Sequence, residues 1–415
     1  MSATFLRMSL CAVVMADLAG CGGGSNKVVG GGGGNPATVT YDFSNGAAPA
    51  AVATQIGTAA YTQATLESGK VTFTLPTGET KFAVAYLCPP RSGENPPPNY
   101  EYIHQLSTVD GTSFSGYCFE PSTVQTGLAT VQVNAAAITG ASLVAVGGED
   151  QQWSTSSLSF SVQMRSGTSD VPVYVYDAKD SILAIKILPR QTIPGALNGG
   201  NPVVFAASDQ VALQPITYSN LPAGFTPGIS ANYTTSGGTT IPLDVSNTTE
   251  YPSIPAASVQ SGDYYSFTAG AKESPASSLN EYAQALLDTK SGGGPETFTL
   301  PSPWAYIGPT PSALPTFTIG YLGFSGMTRV AQYADIFWGT NLSNGITIDA
   351  TENYQGGATS LTIPDLSGVT GFLAQPASGT KVEWDAGMNQ VLSTAASLPD
   401  LNEVSVGNSG TYTVP

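Results

Sequence analysis

Histidine and basic side chains are scarce in this chain. Its 415 residues include one histidine, and 13 lysines and arginines are outnumbered by 29 aspartates and glutamates, so the formal net charge is −16. Nucleic-acid binding depends on basic side chains that neutralise phosphates, and this charge excludes a nucleic-acid partner. Catalytic triads and most zinc sites need histidine, and the single His104 lies in an alternating stretch where a structural role is usual. We therefore expect no metal, no cofactor and no enzymatic activity.

The chain also lacks long apolar runs. The run at 8–16 follows Arg7 and is too short to cross a bilayer, which is typical of a cleavable export signal. The residues LAGC at 18–21 come next, and they resemble the lipobox of bacterial lipoproteins. The resemblance implies that residues 1–20 are removed as a signal peptide and that the thiol of Cys21 is acylated.

A glycine-rich tract follows the lipobox. Residues 21–36 contain two glycine runs, a composition that buries no apolar surface and behaves as a flexible tether. By the same resemblance, Gly22 in place of an aspartate after Cys21 implies an outer-membrane or surface location. We therefore expect an exported, lipid-anchored protein of the cell envelope, whose first partner is membrane lipid.

Cysteine is rare too, with four in the chain. Cys11 lies in the signal and Cys21 is the lipid site, which leaves Cys88 and Cys118. In an oxidising compartment this pair is expected to form a disulfide, and closing a loop of about 30 residues would stabilise the fold by about 3 to 4 kcal/mol. Two buried thiols or an incomplete metal pair are the alternatives. The proline-rich stretch 89–98 inside this loop is either a recognition loop or an exposed connector.

Four stretches of the chain share one pattern, and they begin at Val39, Val131, Ile216 and Phe317. Each has an alternating strand, a small-residue turn and a second strand that ends in polar residues. After a variable gap another alternating strand follows, at 71–75, 158–162, 265–267 and 361–363. Alternation with a period of two, interrupted by turn residues, predicts half-buried antiparallel strands.

The fold class predicted from these repeats is all-β, with tandem antiparallel β-sandwich modules of the immunoglobulin-like kind. The predicted modules are residues 37–127, 128–210, 211–312 and 313–415. The alternative is that the four units pack as two larger domains. Asn45-Gly46 and Asn344-Gly345 predict tight hairpins, because both residue types tolerate positive φ. A capping-box pattern at 278–281, followed by apolar residues on one helical face, predicts a helix ending near Lys290, and a buried strand is the alternative for the same apolar residues.

Two groups of side chains are candidates for function. The tryptophans could stack on sugar rings, although Trp153 and Trp338 are expected at the end of the second strand of their repeats, which favours packing. They are Trp153, Trp304, Trp338 and Trp384. The second group is acidic and could supply a glycosidase pair, although turn or surface roles are the default. These acids are Glu149, Asp150, Glu281, Asp335, Glu383 and Asp385.

The sequence therefore predicts a lipid-anchored envelope protein that acts as a binding, adhesive or structural surface component. Its ligand would be a polysaccharide or a protein. The alternatives are a carbohydrate-binding surface lipoprotein and, after it, an envelope hydrolase that works through carboxylates.

Overall fold

A computed structural model provides the fold of the chain. It describes residues 36–44, 47–90, 99–118, 126–147, 152–155, 159–221, 223–243, 249–273, 282–300, 308–319, 329–392 and 402–415. Several predicted features lie outside these residues, namely the signal and tether with Cys21, Asn45-Gly46, most of the proline-rich stretch, Glu149-Asp150, the capping box at 278–281 and Trp304.

Strands form the body of the described chain, which confirms the all-β prediction. Helical structure in these residues comprises one turn, α1 (Glu352–Gln355), and four 3-10 segments at Leu197–Gly200, Ala207–Asp209, Ala256–Ser258 and Thr340–Leu342. Within the described residues, no helix has the length and apolar character needed to cross a membrane.

The strands fall into four successive groups, which we call the first to fourth units. The first unit contains β1 (Thr38–Asp42), β2 (Ala51–Ile56), β3 (Thr62–Gln63), β4 (Lys70–Thr74), β5 (Lys81–Leu87), β6 (Asn99–Ser107) and β7 (Ser113–Ser115). The second unit contains β8 (Thr126–Asn134), β9 (Leu143–Val146), β10 (Gln152–Thr155), β11 (Ser159–Arg165), β12 (Gly167–Tyr176), β13 (Ile182–Ile193), β14 (Gly195–Ala196) and β15 (Val203–Val204).

The other two units follow the same order of strands. The third unit contains β16 (Ala212–Ser219), β17 (Phe225–Thr234), β18 (Thr240–Leu243), β19 (Glu250–Ser253), β20 (Tyr264–Glu273), β21 (Tyr282–Ser291) and β22 (Glu296–Thr299). The fourth unit contains β23 (Thr316–Thr318), β24 (Arg329–Trp338), β25 (Asn344–Thr351), β26 (Ser360–Thr362), β27 (Lys381–Leu392) and β28 (Asn402–Thr413).

All four units share one pairing pattern. In each, the first strand pairs antiparallel with the fourth, and in the first three units it also pairs parallel with the seventh. The second strand pairs antiparallel with the third and fifth, and the fifth pairs with the sixth. The two sheets of each unit enclose an apolar core, as expected when alternating strands bury one face each.

The large sheets of three units join into one sheet of 12 strands, in the order β18-β17-β20-β21-β28-β27-β24-β25-β6-β5-β2-β3. The first unit joins the fourth through parallel pairing of β6 with β25, which matches Asn99–Gln105 to Asn344–Ala350. The third unit joins the fourth through antiparallel pairing of β21 with β28, which matches Tyr282–Asp288 to Glu403–Ser409. The fourth unit therefore lies between the first and the third.

The second unit keeps a separate four-stranded sheet, β10-β9-β12-β13. It contacts the third unit through a shared core, in which Tyr174, Tyr176 and Ile185 pack with Tyr233 and Phe267. Strand pairing thus joins three units, while side-chain packing attaches the second, together with the backbone hydrogen bond from Val211 N–H to the Leu183 carbonyl at 3.0 Å.

The free edges of these sheets carry features that oppose further pairing. At the ends of the 12-stranded sheet, β3 has two residues and β18 contains Pro242, which lacks an amide hydrogen. The edge strand β13 contains Pro189 and the exposed Arg190, whose φ is 48°. Short strands, prolines and local irregularities are the means by which natural sheets avoid edge-to-edge aggregation.

The helix predicted to follow the capping box at 278–281 is wrong, because residues 282–291 form the strand β21. This strand is hydrogen-bonded on both sides, to β20 and to β28. The apolar residues of this segment satisfy a helical face and a buried strand equally well. Pairing with two neighbours therefore decides the outcome, since tertiary context overrides a weak helical preference.

Two smaller predictions also need correction. Asn344 and Gly345 begin β25, and the β24–β25 turn lies before them, where Asn341 has a φ of 53°. Gly345 is needed for close approach instead, because a Cβ there would lie 2.8 Å from ring atoms of both Phe337 and Tyr100. In the third unit, the alternating residues 265–267 belong to the fifth strand, whereas in the other units the corresponding stretches form the fourth.

Candidate functional site

The predicted disulfide joins Cys88, just after β5, to Cys118, just after β7. The two Cα atoms are 5.2 Å apart, and both side chains are buried at the edge of the first unit's core. The bond closes a loop with a sequence separation of 30, which corresponds to about 3 to 4 kcal/mol of stabilisation. It fixes both ends of the segment that contains the proline-rich stretch.

The tryptophans whose side chains are described belong to the core of the fourth unit. Trp338 ends β24 with 7% of its surface exposed, and Trp384 in β27 is 2% exposed and contacts Phe317. Neither offers a ring face to a sugar. Trp153 lies in β10, opposite Ala145. It therefore belongs to the third strand of its unit, and the prediction that placed it at the end of the second strand is wrong.

His104 is buried in the centre of β6, within the aromatic core of the first unit. Its Nδ1 lies 2.9 Å from the hydroxyl of Tyr41, and its Nε2 lies 3.4 Å from the hydroxyl of Tyr86. Burial lowers the pKa of His104 to about 4, so the imidazole is neutral at physiological pH. These contacts give His104 a structural place.

Glu101 is buried next to Tyr102 on β6, where the first unit meets the fourth. Its Oε2 accepts a hydrogen bond from the backbone N–H of Leu373 at 3.3 Å, and its Oε1 has no partner among the described residues. Burial raises the pKa of this carboxyl to about 7, with a smaller contribution from Asp365. The junction between these units therefore contains an acid that is largely protonated below neutral pH.

Several carboxylates share one face of the sheet in the fourth unit. Asp335 on β24 lies directly opposite Asp385 on β27, and Asp349 on β25 projects from the same face. The hydroxyl of Tyr333 donates to Asp385 Oδ1 at 3.1 Å. The sequence singled out Asp335, Glu383 and Asp385, but it missed Asp349, which lies in an alternating strand without a motif.

The chemistry open to this face is limited by burial. Burial, and then the neighbouring charge of Asp335, raise the pKa of Asp349 to about 8, so this carboxyl holds a proton at neutral pH. Asp335 is 1% exposed and Asp349 is 6% exposed, so a polysaccharide has no direct access to either. In the described part of the chain, no three acidic, histidine or cysteine side chains are grouped closely enough to hold a metal ion.

A cleft of about 250 Å³ opens between the second and third units, and we call it the inter-unit cleft. The second unit and the chain leading from it supply Asp170, Lys186, Ile187, Pro189 and Asp209. The third unit supplies Thr235, Ala257, Ser258, Gln260 and Asp263. Clefts between packed units are common places for ligand binding.

Local hydrogen bonds fix the charged groups on the second-unit side. Lys186 Nζ lies 2.9 Å from Asp209 Oδ2 and also donates to the carbonyl of Val204 at 2.7 Å. Asp170 Oδ1 accepts from the backbone N–H of Arg190 at 2.8 Å. The other oxygen of each of these two carboxylates has no hydrogen-bond partner among the described residues. These hydrogen bonds fix the positions of the Asp170 and Asp209 carboxylates and leave one oxygen of each able to accept a hydrogen bond from a ligand.

On the third-unit side, Asp263 is the most constrained group. It accepts from the hydroxyl of Tyr233 and from the backbone N–H groups of Ser236 and Gln260, the latter two at 2.7 Å. Partial burial alone would raise the pKa of Asp263, but these hydrogen bonds outweigh it and hold the pKa below its ordinary value. Asp263 is therefore ionised at neutral pH.

The neighbouring side chains of Ser258 and Gln260 are free for a ligand. Neither makes a side-chain hydrogen bond with any described residue. The cleft thus combines a hydroxyl and an amide, which each donate and accept hydrogen bonds, with carboxylate oxygens, which accept them. Three carboxylates against one ammonium group give its lining a formal charge of −2.

Sequence reasoning did not find the inter-unit cleft, because its residues come from separate strands and turns of two units and follow no spacing motif. The one local signal is turn chemistry. Asp263 accepts from the backbone three residues earlier, and Asp209 does the same with Ala206. This signal places two carboxylates in turns but does not show that the turns meet.

No protein-family model matches the chain, and no curated protein sequence matches it. What the protein does must therefore follow from its residues and their geometry.

Proposed function

We propose that this protein is exported, anchored in the cell envelope through lipid on Cys21, and acts there as a structural and binding surface component. The lipobox-like residues at 18–21 and the glycine-rich tract supply the anchor and the tether. The observation that carries the structural part is the 12-stranded sheet, which joins three units by backbone hydrogen bonds. Such a body keeps its surfaces in fixed relative positions, as a scaffold at a cell surface requires.

The disulfide supports the same proposal. Disulfides persist in oxidising compartments such as the bacterial envelope and are rare in the cytosol. Cys88 and Cys118 are paired, while Cys11 and Cys21 lie in the segment assigned to signal and lipid attachment. Each cysteine of the chain thus has a place consistent with export.

The anchor is tested by metabolic labelling with radioactive palmitate in a bacterial host. We expect labelling of the wild-type chain and of the Cys11→Ser control, and loss of the label in Cys21→Ser. The label depends on the acylated thiol, which the serine hydroxyl does not replace. Equal labelling of wild type and Cys21→Ser would overturn the lipid anchor.

Carbohydrate capture is the second proposal, and the inter-unit cleft supports it better than the tryptophans do. Trp338 and Trp384 are in the core, whereas Ser258 and Gln260 present free polar groups beside carboxylates. The hydrolase alternative has less support, since Asp335 is buried.

A further inference from the structure

The inter-unit cleft has the chemistry of a binding site for a specific class of small molecule. We propose that it binds a protonated amino sugar, either free or as one unit of a longer glycan. This inference deepens the proposed surface function and rests on it for its biological setting. The binding itself depends only on the groups that line the cleft.

The size of the cleft favours a single ring. Its volume of about 250 Å³ lies below the range of roughly 300 to 1,000 Å³ that pockets for drug-sized ligands occupy. Ile187, Pro189 and Ala257 supply apolar surface that can cover the C–H groups of a sugar ring. A longer glycan would therefore place one unit in the cleft and extend into solvent.

The polar groups of the cleft match hydroxyls. A sugar hydroxyl both donates and accepts, so it needs partners of both kinds. The amide of Gln260 and the hydroxyl of Ser258 can do either, and the unoccupied oxygens of Asp170 and Asp209 accept. None of these groups must break a described side-chain hydrogen bond in order to bind.

The charge of the cleft selects an amine over a neutral or acidic sugar. Lys186 is already bound to Asp209 and to a backbone carbonyl, so it does not compensate Asp170 or Asp263. Hydrogen bonds hold Asp263 in its ionised form. An ammonium group on the ligand gains charge-assisted hydrogen bonds here, whereas a carboxylate would be repelled.

The proposal is tested by isothermal titration of the full chain in detergent with glucosamine, N-acetylglucosamine, glucose and glucuronic acid. We expect glucosamine to bind most tightly and N-acetylglucosamine, which lacks the positive charge, to bind about tenfold more weakly. Added salt should weaken glucosamine binding more than glucose binding. No saturable heat with glucosamine, or equal affinity for all four sugars, would overturn the proposal.

Matched variants locate the site. Gln260→Ala and Ser258→Ala remove free side-chain groups and keep the backbone bonds of the turn, so each should weaken glucosamine binding about threefold to tenfold. Asp170→Asn retains the acceptor for Arg190 and removes the charge, and it should reduce the preference for glucosamine over glucose. Ser261→Ala, next to the cleft but outside its lining, is the control. Unchanged affinity in all three variants would show that any binding occurs elsewhere.

The outcome is separable from that of the anchor. Cys21→Ser should bind glucosamine as the wild type does, because the cleft does not involve the tether. If palmitate labelling fails and glucosamine still binds, the cleft assignment stands while the anchor falls. If labelling succeeds and glucosamine does not bind, the reverse holds.

Discussion

Single polar side chains inside this all-β molecule are buried in different ways. His104 has a hydroxyl close to each of its ring nitrogens, so its neutral form is well accommodated. Glu101 has one partnered oxygen and one without a partner among the described residues. Because an unpartnered buried charge is costly, Glu101 and Asp349 favour their protonated forms, whereas His104 favours its deprotonated form.

The lowered pKa of His104 gives a prediction for acid stability. The folded state resists protonation, so between pH 6.5 and about 4 the unfolded state binds more protons and the free energy of unfolding falls as pH falls. The free energy of unfolding of the wild type minus that of His104→Gln should therefore fall as pH falls over that interval, by at most about 1.4 kcal/mol per pH unit. Denaturant titrations at several pH values measure it. A pH-independent difference would contradict the burial of a neutral imidazole.

At the residue scale, the prediction that the structure confirms is the Cys88–Cys118 disulfide. The disulfide was predicted by elimination: with Cys11 and Cys21 assigned to the signal and the lipid site, Cys88 and Cys118 were left to pair. The buried acids could not be found in this way. Glu101 and Asp349 occupy alternating strand positions, and alternation does not distinguish a solvent-facing acid from one that another unit covers.

Individual strands were predictable where both alternation and turn residues were present, as for β1, β4 and β11. Prediction failed for β21, because its apolar residues fit one face of a helix and a central strand alike. It also failed for Gly345, which is a glycine for steric reasons inside a strand and not for a turn. In both cases a neighbouring strand supplied the deciding contact.

Glu101 connects the element β6 to the segment around Leu373, and this contact should depend on pH. An acid whose pKa is raised in the folded state stabilises the fold below its ordinary pKa of about 4.5, and this stabilisation is lost as pH rises through about 7. We therefore expect Glu101→Gln to gain stability relative to wild type between pH 5 and pH 8, by roughly 2 to 3 kcal/mol.

Thermal or denaturant unfolding at the two pH values measures this gain. Glu67→Gln, at an exposed position of the same unit, is the matched control and should show no such change. A gain for Glu101→Gln that is the same at both pH values would contradict the assignment.

At the scale of the whole molecule, the repeats predicted sandwich units but not how they join. Pairing between units depends on strands that are far apart in the chain, such as β6 with β25 and β21 with β28. Alternation gives no register for such pairs, and parallel and antiparallel joints leave the same local pattern. The 12-stranded sheet was therefore beyond prediction from one sequence.

The shared sheet should make the first and fourth units unfold together. Ile103 on β6 is fully buried in a core built by both units, so Ile103→Ala should cost about 2 to 5 kcal/mol. Hydrogen exchange should then become faster in β5, β24 and β25 alike. Leu188→Ala, in a core confined to the second unit, is the control and should affect mainly β8, β9 and β12. Faster exchange limited to β5 and β6 after Ile103→Ala would contradict this coupling.

The blunt edges of the 12-stranded sheet decide how large an assembly can become. A sheet that grows by lateral strand addition has no inherent stopping length, and this chain already adds whole units in that way. A strand of a second molecule would meet only the two residues of β3 at one end of the sheet. At the other end it would meet β18, in which Pro242 has no backbone N–H to donate. Both ends of the sheet thus oppose further strand addition, and under the proposed anchoring we expect many copies to lie side by side on a membrane without forming fibrils.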